Sequence, residues 1–141
     1  MSLYLDTSCL LKLLLVEPES ASVRELVVAE PEVVVSALAQ LEAAQALLAM
    51  RLGGEISRAQ QVRLQRVLGQ ILETPPFVLL PFPADTIALA GKQAASGVYC
   101  RTLDRLHLAV MESAGLRRLL TNDATQAAAA KALGFAVITP G

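Results

Sequence analysis

The sequence predicts an α/β fold in which a parallel β-sheet is covered by helices on both faces. Short apolar segments recur along the chain, and segments with helical signals separate them. The apolar segments are continuous rather than alternating, as in parallel strands that are buried on both faces. A chain of 141 residues is expected to form one domain, residues 1–141.

The first half of the chain predicts three strands and four helices. Asp6-Thr7-Ser8, a cluster of helix-capping residues, follows the first strand and precedes a short apolar helix. Pro18 is placed as at the first position of a helix, and Ser36 is placed to cap a long helix. Ser57–Gln60 matches a capping box. The strands are expected at 3–5, 33–35 and 77–80, and the helices at about 10–16, 18–28, 37–53 and 57–74.

The second half predicts three more helices and two more strands. Pro81 and Pro83 close the third strand, and Gly134 is a suitable residue to follow the last helix. The Ala127–Ala130 run belongs to that helix rather than to a low-complexity tail. The helices are expected at about 85–96, 101–114 and 124–133, and the strands at 118–120 and 136–138.

Composition limits the classes of function that the chain can have. Hydrophobic residues make up 54% of the sequence and aromatic residues only 4%, so the core is expected to be aliphatic and alanine-rich. The net charge of −1 gives no general basic field and argues against tight, nonspecific phosphate binding. A local basic patch stays possible because nine of the twelve cationic residues are Arg.

The cysteines and apolar segments indicate a reduced, cytoplasmic protein. Cys9 and Cys100 have neither the spacing nor the companions of a metal motif or a disulfide framework, so they are expected to be buried free thiols. Asp6 interrupts the first apolar stretch, which argues against a secretory signal. No segment reaches the roughly 20 apolar residues that a membrane-spanning helix needs.

Four acidic residues are expected to meet at one point of this fold. Asp6 and Asp123 each follow an apolar strand, and ligands of parallel sheets bind outside the carboxyl ends of the strands. Glu42 falls on the inward arc of its helix, and Asp104 borders the apolar stripe of another. Converging carboxylates repel each other and usually surround a divalent cation. A metal-dependent site is therefore the leading hypothesis.

Each carboxylate also has an ordinary structural explanation when it is taken alone. Asp6 and Asp123 could simply cap the helices that follow them. Glu42 could sit at the edge of its apolar stripe, and Asp104 could serve only to oppose a helix dipole. His107, the only histidine, is more often a packed residue than a ligand in a site made of oxygen atoms, so it is assigned no role.

Four segments of the sequence resemble the motifs of PIN-domain proteins. Leu3–Ser8 resembles the opening strand and acidic turn of that family, and Ser36–Glu42 is similar to its second acidic element. Arg101–Ala109 resembles the third motif and Leu120–Asp123 the fourth. The resemblance covers almost the whole chain in the family's order. Within the family, the chain is most similar to the toxins of VapBC-type toxin–antitoxin pairs.

The resemblance implies a fold and an activity. The fold is a five-stranded parallel sheet flanked by helices, an α/β/α sandwich. The activity is that of an Mg²⁺- or Mn²⁺-dependent endoribonuclease whose products carry 5′-phosphate and 3′-hydroxyl ends. The implied partners are an RNA substrate, a second copy of the chain in a homodimer, and an inhibitory antitoxin protein.

Residue by residue, the resemblance implies the composition of the site. The metal-binding and catalytic positions are Asp6, Glu42, Asp104 and the more variable Asp123. The hydroxyl residues expected beside the metal are Thr7, Ser8 and Thr121. Arg101 and Arg105, which form a ridge beside Asp104, are candidates for RNA contact, although many family members have a small residue where Arg105 stands. A dimer would also pool other arginines around an RNA, among them Arg51, Arg58, Arg63 and Arg66.

Two other classes of function stay open. One is a non-catalytic module that keeps the PIN fold and binds a partner protein or RNA; crowding four carboxylates would serve no purpose in it. The other is an aspartyl-phosphate enzyme with Asp6 as nucleophile, but Ser8 stands where such phosphatases have a second Asp. A ribonuclease that uses a pair of histidines is excluded within one subunit, because the chain has one.

Overall fold

The computed structural model describes residues 1–141 as five strands and seven helices. The strands are β1 (Leu3–Leu5), β2 (Val33–Ser36), β3 (Phe77–Leu80), β4 (Arg118–Leu120) and β5 (Ala136–Ile138). The helices are α1 (Thr7–Leu14), α2 (Ser20–Val28), α3 (Ala37–Leu52), α4 (Arg58–Leu72), α5 (Thr86–Ala95), α6 (Thr102–Ala114) and α7 (Ala124–Ala132). None of the helices is both long and apolar enough to cross a membrane.

All five strands are parallel and form one sheet in the order β3-β2-β1-β4-β5. The chain builds outward from β1 to β3 on one side, then returns to the other side of β1 to place β4 and β5. In register, Leu5 of β1 lies opposite Leu120 of β4. The strand order therefore reverses between β1 and β4, which is where open parallel sheets form their ligand-binding crevice.

Two hydrophobic clusters cover the two faces of the sheet. Leu3 and Leu5 face the larger cluster, which α1 to α4 complete. Tyr4, between them, faces the opposite cluster, which is built with α6 and α7. Successive residues of a strand point to opposite faces, so even a three-residue strand contributes to both clusters. The predicted α/β fold, with helices on both faces, is confirmed.

Most helix boundaries follow the predicted capping residues. The side chains of Asp6, Ser36, Ser57 and Asp123 each accept a hydrogen bond from a backbone N–H in the first turn of a helix. The capping box of Ser57 is complete, because the Gln60 side chain also accepts a bond from the Ser57 N–H. The first residues of α3, α4 and α7 could thus be predicted from local chemistry.

Two helices begin at other residues than the sequence suggested. Helix α1 starts at Thr7 rather than near Leu10, because Asp6 already caps it. Helix α2 starts at Ser20 rather than at Pro18, and the Ser20 hydroxyl ties the preceding turn by donating to the Leu15 carbonyl.

Helix α6 ends as Gly115 adopts φ +70°, a conformation that a side chain would disfavour. Gly134 likewise has φ +88° after α7.

Candidate active site

A polar pocket of about 170 Å³ lies at the carboxyl ends of β1 and β4, where the strand order reverses. None of its lining residues is hydrophobic. It is lined by Asp6, Thr7, Ser8, Glu42, Arg101, Asp104, His107, Asp123 and Gln126. The structure therefore brings together the four predicted carboxylates from four separate parts of the chain.

Asp6, at the end of β1, is the most buried carboxylate of the pocket, with 2% of its surface exposed. Burial raises the pKa of its carboxyl above the ordinary value. Hydrogen bonds from the Thr121 hydroxyl (2.5 Å), the Ser8 hydroxyl (2.7 Å) and the Cys9 N–H (3.2 Å) oppose that increase. Asp6 is thus both a helix cap and a desolvated carboxylate that is short of positive charge.

Glu42 projects from α3 and is held by two side chains of other elements. The Thr7 hydroxyl donates to its Oε1 (2.8 Å), and His107 Nε2 lies 2.5 Å from the same atom. Burial alone would raise the pKa of the Glu42 carboxyl, but the hydrogen bonds from His107 and Thr7 and the nearby charges lower it below the ordinary value. Glu42 is therefore prepared to stay ionised.

A buried hydrogen-bonded chain supports His107 from behind. The other ring nitrogen, Nδ1, lies 2.6 Å from the Tyr4 hydroxyl, and that hydroxyl donates to the Ser36 hydroxyl at 2.9 Å. His107 is 2% exposed and Tyr4 is fully buried, so water cannot replace these partners. This series of hydrogen bonds links β1, β2 and α6 to the Glu42 carboxylate on α3, and it fixes the orientation of the imidazole ring.

Asp104 and Asp123 share one cation, the guanidinium of Arg101. Arg101 Nε lies 3.2 Å from Asp104 Oδ2, and Arg101 Nη2 lies 2.8 Å from Asp123 Oδ2. The Arg101 side chain is 69% exposed, so these ion pairs are all that hold it over the pocket. Burial raises the pKa of the Asp104 carboxyl, although Arg101 acts against that rise. Asp123 also caps α7 by accepting from the Gln126 N–H.

Gln126 is a buried residue of the pocket that the sequence patterns did not single out. With its amide nitrogen turned toward the carboxylates, the side chain donates to Asp6 Oδ2 (3.2 Å) and Asp104 Oδ1 (3.1 Å). It therefore separates two carboxylates that would otherwise repel each other. It lies one turn into α7, three residues after the Asp123 cap, and that spacing was the only available signal.

The oxygen atoms of the pocket are the kind of ligand that a hard divalent cation prefers, but they accept hydrogen bonds from other side chains of the protein. Four carboxylates with hydroxyl neighbours form the all-oxygen set that Mg²⁺ or Mn²⁺ prefers. No three acidic, histidine or cysteine side chains converge closely enough to hold an ion between them, however. Arg101 and Gln126 occupy the oxygen atoms that would face it. For these oxygen atoms to face an ion, Arg101 would have to leave Asp104 and Asp123.

The remaining predicted residues have different positions. Thr7 and Ser8 line the pocket, and Thr121 reaches it from β4 by donating to Asp6. Arg105 does not reach the pocket: it is 7% exposed, and its guanidinium donates to the Val98 carbonyl and to Gln93 Oε1. Arg101 lines the pocket, whereas Arg105, one turn along α6, ties that helix to α5. His107, which was assigned no role, holds Glu42.

The sequence matches the family described as PIN domain over residues 3–132. Ribonuclease VapC46 of Mycobacterium tuberculosis (strain ATCC 25618 / H37Rv) is 37% identical over 145 residues, an alignment that covers 99% of this chain and 98% of the relative. Ribonuclease VapC35 of M. tuberculosis (strain CDC 1551 / Oshkosh) is 30% identical over 148 residues, an alignment that covers 99% of this chain and 97% of the relative.

Solved structures share the fold at lower sequence identity. DNA-bound VapBC from Salmonella typhimurium superposes with a TM-score of 0.74 at 17% identity, covering 100% of this chain and 99% of that one. VapC20 of M. tuberculosis, described as a toxin that cleaves the sarcin-ricin loop, has a TM-score of 0.69 at 17% identity and covers 94% and 95%. At such identities the likeness concerns the fold.

Proposed function

Because the chain belongs to the PIN-domain family, we propose that it is a metal-dependent endoribonuclease and the toxin of a VapBC-type toxin–antitoxin pair. The observation that carries the proposal is the convergence of Asp6, Glu42, Asp104 and Asp123 in one polar pocket. Two ribonucleases are similar to the chain over nearly its whole length, which supports the choice of RNA as the substrate.

The four carboxylates would hold one or two Mg²⁺ or Mn²⁺ ions. The hydroxyls of Thr7, Ser8 and Thr121 orient two of these carboxylates, those of Glu42 and Asp6. When bound, such an ion supplies positive charge that stabilises a phosphodiester under attack and acidifies a nearby water. Ser8 and Thr121 favour the ionised form of Asp6 by donating to its two oxygens, which opposes the effect of burial on its pKa. His107 and Thr7 do the same for Glu42.

Arg101 has a second task in this proposal. A metal ion held by Asp104 and Asp123 would compete with the largely exposed guanidinium of Arg101 for these two carboxylates. An Arg101 side chain freed from these carboxylates would lie at the rim of the pocket, where it could donate two parallel hydrogen bonds to an RNA phosphate. The substrate would thus gain a contact only when the metal site is filled.

The proposed partners follow from the same family membership. The VapBC complexes among the structural neighbours support a cognate antitoxin as the inhibitor of this chain. We also propose a homodimer, as the resemblance to the family implies. We propose a cytoplasmic location, because an RNA-cleaving toxin needs access to cellular RNA. The measured mass of the purified protein by light scattering tests the dimer, and a mass equal to one chain would contradict it.

Cleavage of a labelled RNA with and without Mn²⁺ tests the activity, and calorimetric titration of Mn²⁺ tests the metal. We expect Asp6→Asn and Asp104→Asn to abolish both while the circular dichroism spectrum stays unchanged. The loss of activity should be about 100-fold or more, as when a group that stabilises charge in the transition state is removed. Asp85→Asn is the matched control, because Asp85 is exposed and does not line the pocket.

A non-catalytic module is the second candidate function. It predicts that the wild-type protein binds RNA or a partner protein but leaves every RNA intact in the presence of Mn²⁺. Full cleavage activity in Asp104→Asn would contradict the catalytic role proposed for Asp104, which lines the pocket with the other three carboxylates.

A further inference from the structure

A second groove with the opposite charge lies between α3 and α4. Its volume is about 480 Å³, and only one of its lining residues is hydrophobic. The lining residues are Arg51, Arg58, Gln61, Val62, Gln65 and Arg66. Helix α4 carries three arginines and no acidic residue, so positive charge is concentrated here in a chain whose net charge is −1.

The arginines of this groove lack partners within the chain. Lys12, Arg101 and Arg118 form ion pairs elsewhere, whereas Arg51, Arg58 and Arg66 form none. The Nε atom of Arg51 is buried and has no hydrogen-bond partner. The guanidinium groups of Arg51, Arg58 and Arg66 therefore carry a positive charge that no carboxylate of the chain neutralises.

We propose that the α3–α4 groove binds phosphate groups of a single-stranded RNA that extends beyond the cleavage site. The inference rests on the proposed function, and it adds a second contact region to the same substrate. Arg side chains present planar, forked donors that match phosphate oxygens, and the Gln side chains add further donors. The groove has no aromatic residue on which a base could stack, so the contacts are made to the backbone and are independent of sequence.

The composition of the groove favours RNA over a protein segment. A docked protein helix needs an apolar floor for its anchoring side chains, and Val62 is the only hydrophobic residue here. The larger apolar groove of the molecule lies elsewhere, between α5 and α6. A chain of phosphates needs no such floor, because its affinity comes from the release of counterions.

The two sites are separate, so only a long RNA can reach both. Arg51 lies nine residues after Glu42 on α3. That spacing places it about 13.5 Å further along the helix axis and about half a turn around it. A short oligonucleotide that fills the acidic pocket would therefore miss the groove, whereas an RNA that continues around α3 would contact it.

The salt dependence of RNA binding tests the proposal. The probe is a labelled oligouridylate of about 30 nucleotides, longer than the roughly 16-nucleotide upper end of single-strand sites. Binding is measured in EDTA over a range of salt concentrations, and a gel confirms that the probe stays intact. The full chain is compared with the triple variant Arg51→Gln, Arg58→Gln, Arg66→Gln. The slope of log K against log [salt] is negative, and each lost phosphate contact should reduce its magnitude by about 0.7, so we expect the magnitude to decrease by about 2.

A control triple variant separates position from net charge. Arg24, Lys92 and Lys131 are exposed, form no ion pair and lie outside the groove. Replacing all three by Gln removes the same charge, and we expect the slope to change by less than about 0.7. An equal decrease in both triple variants would overturn the proposal, because the effect would then belong to net charge.

The remaining outcomes also decide between occupants and between the two proposals. A groove variant that keeps the wild-type RNA slope but no longer binds labelled oligoglutamate would overturn the proposal in favour of an acidic peptide. Because the assay measures binding alone, a reduced slope in a protein that cleaves no RNA would support the groove and contradict the nuclease. Unchanged slopes in a protein that cleaves RNA would contradict the groove proposal and support the nuclease proposal.

Discussion

His107 Nε2 lies 2.5 Å from Oε1 of Glu42, although the two residues are 65 positions apart in the sequence. The imidazole is in turn held by Tyr4 through Nδ1. Because Nε2 faces a carboxylate, this nitrogen carries a proton and donates it. His107 therefore acts on Glu42 as a positioning residue rather than as a ligand, which agrees with the all-oxygen character of the pocket.

Replacing His107 should weaken the site through Glu42. His107→Leu removes the donor to Glu42 and leaves the Tyr4 hydroxyl with Ser36 as its one partner, and we expect activity and Mn²⁺ affinity to fall about 10- to 100-fold. His107→Gln retains a donor that can reach Glu42, so it should recover part of both. A purely structural role would instead lower stability equally in the two variants and leave the Mn²⁺ affinity of folded protein unchanged.

Arg101 should compete with the metal for Asp104 and Asp123. Arg101→Gln removes the internal cation from both carboxylates, so we expect calorimetry to give Mn²⁺ binding about two- to fivefold tighter, a modest gain because exposed ion pairs are weak. RNA affinity in the presence of Mn²⁺ should fall at the same time. Arg24→Gln removes an exposed Arg outside the pocket and should change neither value. Weaker Mn²⁺ binding in Arg101→Gln would contradict the exchange of Arg101 for an ion.

The stability of the metal-free protein should depend on pH through Asp6. The folded-state pKa of this carboxyl is raised by burial, so between the unfolded value of about 3.9 and the folded value the folded state binds more protons. The contribution of Asp6 to stability therefore falls as pH rises through that window and stays low above it. Glu42, whose folded pKa is lowered, contributes in the opposite direction and loses its contribution as pH falls.

Asp6→Asn isolates the Asp6 contribution in urea unfolding with EDTA present. Asn keeps the helix cap and removes the desolvated charge, and we expect a gain of about 1 kcal/mol at pH 7, or about 3–5 °C in Tm. The gain should shrink as the pH approaches 4. A variant that is less stable than the wild type at pH 7, or whose advantage does not change with pH, would rule out this account.

Thr121 should be coupled energetically to Asp6. Its fully buried hydroxyl donates to Asp6 Oδ2 (2.5 Å) and accepts from the Asp123 N–H (3.0 Å). Thr121→Val keeps the shape but loses both bonds, so we expect a loss of about 1–3 kcal/mol in the free energy of unfolding. In a double-mutant cycle with Asp6→Asn the two effects should not add, with a coupling of at least about 0.5 kcal/mol. Simple additivity would argue against a direct link.

The elements and the carboxylates could be predicted because their signals are local. The capping chemistry of Ser36 and Ser57 and the continuous apolar segments are written in neighbouring residues, and the structure confirms them. The parallel topology follows from the alternation of strands and helices, and it places the ends of β1 and β4 side by side. The meeting of Asp6 with Asp123 was therefore foreseeable before any side chain was placed.

The partners of these carboxylates were decided by the tertiary structure alone. His107 and Tyr4 are 103 positions apart, and the periodicity of neither element indicates that their polar atoms meet. Arg101 and Arg105 lie one turn apart on the same ridge, yet Arg101 covers the pocket and Arg105 is buried against α5. Sequence patterns specify which face of a helix is apolar, because hydrophobic burial depends on composition. A hydrogen bond depends on distance and direction within a few tenths of an ångström, and only the packed fold sets these.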